Sequence, residues 1–82
     1  MNKDLYKLQY TDPESLLVIT SSGQIKKLLC PFPVVCIVEV ARIKKGDTVM
    51  VTSVESEKQE LRDIIIFIIN EHKIYYWFFK VI

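Results

Sequence analysis

Glycine is nearly missing from this chain: Gly23 and Gly46 are the only two in 82 residues. Two glycines so far apart cannot build the loops that cradle phosphate groups, which excludes the common nucleotide-binding motifs. Proline is scarce as well, with three, and half of the residues are apolar, so the chain is neither a Pro/Gly linker nor a disordered segment. Neither sign of charge dominates, with 11 basic against 10 acidic residues. A dedicated nucleic-acid binder usually carries a basic excess, because neutralising phosphates and releasing counterions supplies most of its affinity. The same balance argues against attraction to an anionic membrane surface.

Long hydrophobic runs are absent too. No unbroken apolar run is longer than that from Ile64 to Ile69, far short of the roughly 20 residues of a membrane helix. The ten N-terminal residues carry charges throughout and lack an apolar core, so no signal peptide is expected and the chain reads as a soluble cytoplasmic protein. Only two cysteines and one histidine are present. A structural zinc site normally needs four soft ligands, and a redox pair normally has tighter spacing than Cys30 and Cys36, so neither a metal nor any other cofactor is expected. Without a secretory signal the two thiols are expected to stay unbridged and to pack as small hydrophobes.

What is present is a regular alternation of turn signals and short hydrophobic stretches. The turn signals are Thr11–Ser15, Ser21-Ser22-Gly23, Pro31-Phe32-Pro33, Lys44-Lys45-Gly46-Asp47, a charged stretch from Glu55 to Glu60, and Asn70 to Lys73. Each holds residues that turns select, such as Gly for positive φ and Pro for fixed φ. The intervals are rich in Val, Ile, Phe and Tyr, which predicts about seven strands at 5–10, 16–20, 24–29, 34–43, 48–54, 62–69 and 74–81. Short connections make sequential strands antiparallel neighbours. The expected fold is a single all-β domain over residues 1–82, a small meander closed as an SH3-like barrel or a two-layer curled sheet. Ser56-Glu57-Lys58-Gln59 also fits a capping box, which leaves a helix towards Asn70 open. The continuous isoleucines after it favour a strand.

The C-terminal hairpin is the most informative stretch. Closed symmetrically about Asn70–Lys73, it pairs Ile69 with Ile74, Phe67 with Tyr76, Ile65 with Phe78 and Asp63 with Lys80, the last an opposite-charge pair. Its other face carries Ile64, Ile66, Ile68, Tyr75, Trp77, Phe79 and Val81, without a charge. Both faces are therefore apolar, whereas a sheet with one wet side alternates apolar with polar residues. The Trp77 face is expected to be the core. Ile65, Phe67, Ile69, Ile74, Tyr76 and Phe78 then form an outer patch, covered either by the N-terminal strands or by a second copy of the chain. On this reading Phe67→Lys leaves the fold intact and abolishes the dimer.

The remaining candidates are weaker. His72 lies in a polar turn, and nothing near either cysteine supplies the electropositive pocket that a Cys–His pair needs. The carboxylates fall in turns except Glu39, which lies in the expected 34–43 strand and reads as an inward charge guarding an edge. Lys26, Lys27, Lys44 and Lys45 could meet at one end of the sheet as a nucleic-acid site, although no aromatic residue adjoins them. Ile43-Lys44-Lys45-Gly46-Asp47-Thr48-Val49 resembles the Gly-Asp-x-Val turn of small β-barrels such as lipoyl and biotinyl carrier domains and bacterial SH3-like domains. The likeness covers seven residues and implies a turn, not a function, because the displayed lysine motif of the carriers does not occur. With no nucleophile–base–orienter set in sight, the expected role is non-enzymatic: an interaction module that self-associates through the outer face of its C-terminal hairpin, with nucleic-acid binding as the alternative.

Overall fold

The computed structural model describes residues 6–82, so the first residue of the expected 5–10 strand lies outside the described range. The described residues form nine strands and no α-helix. They are β1 (Tyr6–Asp12), β2 (Ser15–Thr20), β3 (Ile25–Leu29), β4 (Phe32–Cys36), β5 (Thr48–Val51), β6 (Ser53–Gln59), β7 (Arg62–Ile69), β8 (His72–Tyr75) and β9 (Phe79–Val81). They assemble into three antiparallel sheets of three strands, ordered β1-β2-β3, β5-β4-β9 and β6-β7-β8, which do not close into a barrel. No helix among the described residues is long and apolar enough to cross a membrane.

Local chemistry explains the tight connections. At the β1–β2 turn the Asp12 carboxylate accepts the Glu14 N–H at 2.8 Å, a side-chain mimic of a backbone turn. Gly23, with φ of 88°, closes β2 onto β3. The β7–β8 loop is the two residues Asn70-Glu71, with φ of 51° and 68°. Two successive positive φ angles give the twist that suits a two-residue hairpin.

That loop shifts the hairpin register by two residues from the expected one. Phe67 pairs with Ile74 and Ile69 with His72, while Asp63 faces Lys58 rather than Lys80. The expected 74–81 strand is also interrupted. A single 3₁₀ turn at Tyr76–Phe78 re-aims the chain, and Phe79–Val81 leaves the hairpin to pair with β4. The stretch from Glu55 to Glu60, expected as a turn, is mostly the outer half of β6, paired with β7 from Ser53 to Gln59, and no helix forms there.

The expected 34–43 strand stops at Cys36. Beyond it the Ile37 N–H still reaches the Phe78 carbonyl at 2.9 Å, but Val38-Glu39-Val40 meet no neighbouring strand, and the chain turns on itself through a Val40–Ile43 bridge. Glu39 is thus exposed in a loop, not turned inward on a strand. The loop closes where the Gly46 N–H reaches the Cys36 carbonyl and the Cys36 N–H reaches the Asp47 carbonyl, at 2.7 and 2.8 Å.

One core joins the sheets. β2 contributes Leu16 and Val18, β4 contributes Phe32, Val34 and Cys36, and β7 contributes Ile65, Phe67 and Ile69. Phe67 is fully buried. Its ring meets Phe32 edge-on at a centroid distance of 5.7 Å and Phe79 at 6.1 Å, so the third sheet is pinned to the second through aromatic contacts. Such pairs contribute roughly 0.5–1.5 kcal/mol each beyond the area they bury.

Candidate interaction face

The face expected to be the interface is the core. Ile65, Phe67, Ile69 and Ile74 are each 5% exposed or less, and Tyr76 and Phe78 are half-buried, packed against them. The physical reason lies on β6. Val54 and Ser56 stand across from Phe67 and Ile65, whereas Glu55 and Glu57 stand across from Ile66 and Ile64. Burying the second set would strip two carboxylates of water, so the sheet turns its Glu face outward. Of the face expected to be the core only Phe79 is buried, because it has joined β4; Trp77 is exposed and the other residues are half-buried.

The outer face of the third sheet therefore has a stripe of Ile64, Ile66 and Ile68 along its central strand, each half-buried. Glu55 and Glu57 flank the stripe on β6, and Lys73 and Tyr75 flank it on β8. Two polar links cross β7 in the same diagonal sense. Lys73 Nζ lies 3.2 Å from Glu55 Oε1, and the Tyr75 hydroxyl donates to Glu57 Oε1 at 3.3 Å. Negative charge on Glu57 pushes the Tyr75 phenol above its ordinary pKa, and the hydrogen bond to the same carboxylate adds to that shift. Glu57, Ile66, Lys73 and Tyr75 line a shallow hollow of about 240 Å³. At one end the Trp77 ring, 48% exposed, stacks on Tyr75 at 4.5 Å and 16°.

The four lysines do not share a sheet. Lys26 and Lys27 lie on β3 of the first sheet, and Lys44 and Lys45 lie in the turn that precedes β5 of the second. That turn has the geometry its sequence implies: Gly46 has φ of 94°, and Asp47 Oδ2 accepts the Lys44 N–H at 3.1 Å. Cys30 and Cys36 are free thiols. Burial raises the Cys30 pKa, and the carboxylates of Asp12 and Glu14 raise it further, which is the opposite of nucleophile activation. His72 is exposed at the start of β8. Among the described residues no cluster of three or more His, Cys, Asp or Glu side chains is arranged to hold a metal.

Glu55 and Glu57 escaped sequence reasoning because their charge was assigned to a turn. The signal that finds them is the period-two alternation of Val54 and Ser56 with Glu55 and Glu57, a half-buried strand written in small and acidic residues. Fold and face together define a small all-β domain whose most differentiated surface is a sheet face built from aliphatic and charged columns. Comparison with protein-family models, curated proteins and solved structures gives no match.

Proposed function

We propose that this chain is a non-enzymatic interaction module that self-associates through the outer face of β6-β7-β8. The observation that carries the reading is the self-complementary layout of that face. Acceptors (Glu55, Glu57) run along one side of the isoleucine stripe and donors (Lys73, Tyr75) along the other. A two-fold axis along β7 would set isoleucines on isoleucines and the acceptor column of each copy over the donor column of the other. Exchanging the exposed Lys73–Glu55 pair and the part-buried Tyr75–Glu57 bond for equivalent links between chains costs little, because an exposed ion pair contributes only about 0–1 kcal/mol and a hydrogen bond of the same kind replaces the one given up. The gain comes from desolvating the stripe and the Tyr75–Trp77 pair, a residue combination enriched in binding hot spots.

The face is small. Three strands about 4.8 Å apart and six residues at about 3.4 Å each give a footprint of roughly 300 Å², under half of the roughly 800 Å² per partner of a standard interface. A face this small belongs with weak, transient contacts rather than permanent ones.

Sedimentation from micromolar to millimolar protein tests this. The expected result is a rise in mass towards a dimer, abolished by Ile66→Lys while circular dichroism and the melting temperature stay near wild type. A monomer at every concentration overturns the proposal, and so does a dimer indifferent to Ile66→Lys.

A further inference from the structure

The first sheet carries a surface unconnected with that face. β3 pairs with β2 on one side only, and the register tells which backbone groups point away. Cys30 N–H donates to the Glu14 carbonyl and Thr20 N–H donates to the Gln24 carbonyl, at 2.9 and 2.8 Å. Cys30 and Gln24 therefore direct their groups towards β2. Hydrogen-bonded pairs alternate along an antiparallel ladder, so Lys26 and Leu28 also face β2. Ile25, Lys27 and Leu29 present their N–H and C=O groups outward, and among the described residues these groups meet no hydrogen-bonding partner. Leu28 packs half-buried against the core, but the other side chains of the strand are open: Ile25 is 64% and Leu29 66% exposed, with Lys26 and Lys27 exposed between them.

We propose that this free edge of β3 is a β-augmentation site for an extended acidic segment of another protein. Main-chain bonds to an added strand would supply affinity and alternate side chains would supply specificity. The charges select the occupant. Lys26 and Lys27 point to opposite faces of the strand, so two adjacent carboxylate residues in an antiparallel partner meet one lysine each, and aliphatic residues at either side meet Ile25 and Leu29. A second copy of the chain is the poorer fit, because the register that pairs all five residues of β3 with their copies sets Lys27 against Lys27, a like-charge opposition. Asp12 and Glu14 line a hollow of about 550 Å³ together with Lys27 and Leu29, so the acidic residues of the partner belong opposite the lysines and a neutral or basic one at the Leu29 end.

The competing reading is that the lysines only shield the edge from aggregation. A synthetic peptide with the core Ile-Thr-Glu-Glu-Val, followed by amide hydrogen exchange, separates the two. Docking should protect the Ile25, Lys27 and Leu29 amides roughly tenfold at peptide ten times above its Kd. Lys26 and Leu28, already bonded to β2, should change little. Binding should weaken with salt. Lys27→Pro removes one outward N–H and no bond to β2, so it should keep the melting temperature and lose the peptide. Should that variant fail to fold, Lys26→Glu with Lys27→Glu is expected to reverse the preference to Ile-Thr-Lys-Lys-Val. Unchanged exchange at the three outward amides in millimolar peptide overturns the proposal. Equal binding of the acidic and basic peptides to the unmodified protein also overturns it. Because β3 is not part of the third sheet, neither result bears on self-association.

Discussion

The Tyr75 hydroxyl donates to a Glu57 carboxylate oxygen across the full width of β7, joining the two flanking strands of the third sheet at 3.3 Å. The negative charge of Glu57 raises the pKa of the phenol, and the hydrogen bond to the same carboxylate adds to it, so the neutral form is favoured in the fold. The folded-state pKa lies above the unfolded value of about 10, so the stabilisation is complete below about pH 10 and is lost as pH rises through the folded pKa. A tyrosine titration should show one phenol ionising above the ordinary range. Glu57→Gln should return it to that range, since the charge and most of the hydrogen-bond asymmetry go together.

Neighbouring residues on β7 should respond in opposite ways. Phe67→Ala empties the junction of Phe32 and Phe79 and is expected to destabilise by about 3–5 kcal/mol, a large share of the roughly 5–15 kcal/mol a small domain possesses. Phe67→Lys should prevent folding outright. Ile66→Lys, one residue away and half-exposed, should cost less than about 1 kcal/mol. Urea unfolding of the three variants checks this, and equal losses at 66 and 67 would contradict the assignment of faces.

Two tight turns place non-glycine residues at positive φ in both central positions: Ala41-Arg42 at 48° and 67°, and Asn70-Glu71 at 51° and 68°. Left-handed backbone costs an L-residue roughly 1–2 kcal/mol, less for Asn. Glu71→Gly, which completes an Asn-Gly turn, and Arg42→Gly should each stabilise by about 0.5–1 kcal/mol. A melting-temperature rise of about 4–8 °C per kcal/mol is the readout. A fall on both substitutions would show that the turns are held in this conformation by something other than their own backbone.

The two thiols should label in distinct phases. Cys30 is half-buried and its thiol is pushed up by burial and by the nearby Asp12 and Glu14 carboxylates, so alkylation at neutral pH should be slower than for a free thiol. Asp12→Asn with Glu14→Gln should speed it. Cys36 is fully buried, with its Sγ directed at the Val38 carbonyl at 3.1 Å, and should react only on unfolding. Rapid labelling of Cys36 in native buffer would contradict its place in the core.

Much of the strand pattern was legible in the residues. The alternation at Tyr6, Leu8 and Tyr10, the Ser21-Ser22-Gly23 turn and the Lys44–Asp47 turn are local signals, and β1, β2, β3 and β5 follow them to within a few residues. The candidate face was not legible in the same way. Ile64, Ile66, Ile68, Tyr75 and Trp77 share a face as their spacing implies, whereas Phe79 and Val81 leave it for β4, and that face lies outside rather than in the core, a choice the hairpin on its own cannot make because it is apolar on both sides. The expectation for 34–43 failed for a similar reason: Ile37 to Val40 have the propensity for a strand, and propensity does not supply a neighbour.

By itself the sequence determined the all-β character, most of the turns, and the unusual two-sided hydrophobicity of the C-terminal hairpin, since these depend on residues a few positions apart. Tertiary structure decided which side is inside, where β9 leaves the hairpin, and that three small sheets replace a closed barrel. Those choices depend on partners distant in the chain: Glu55 and Glu57 need water, and Phe79 finds β4. No pattern within β7 and β8 encodes either fact.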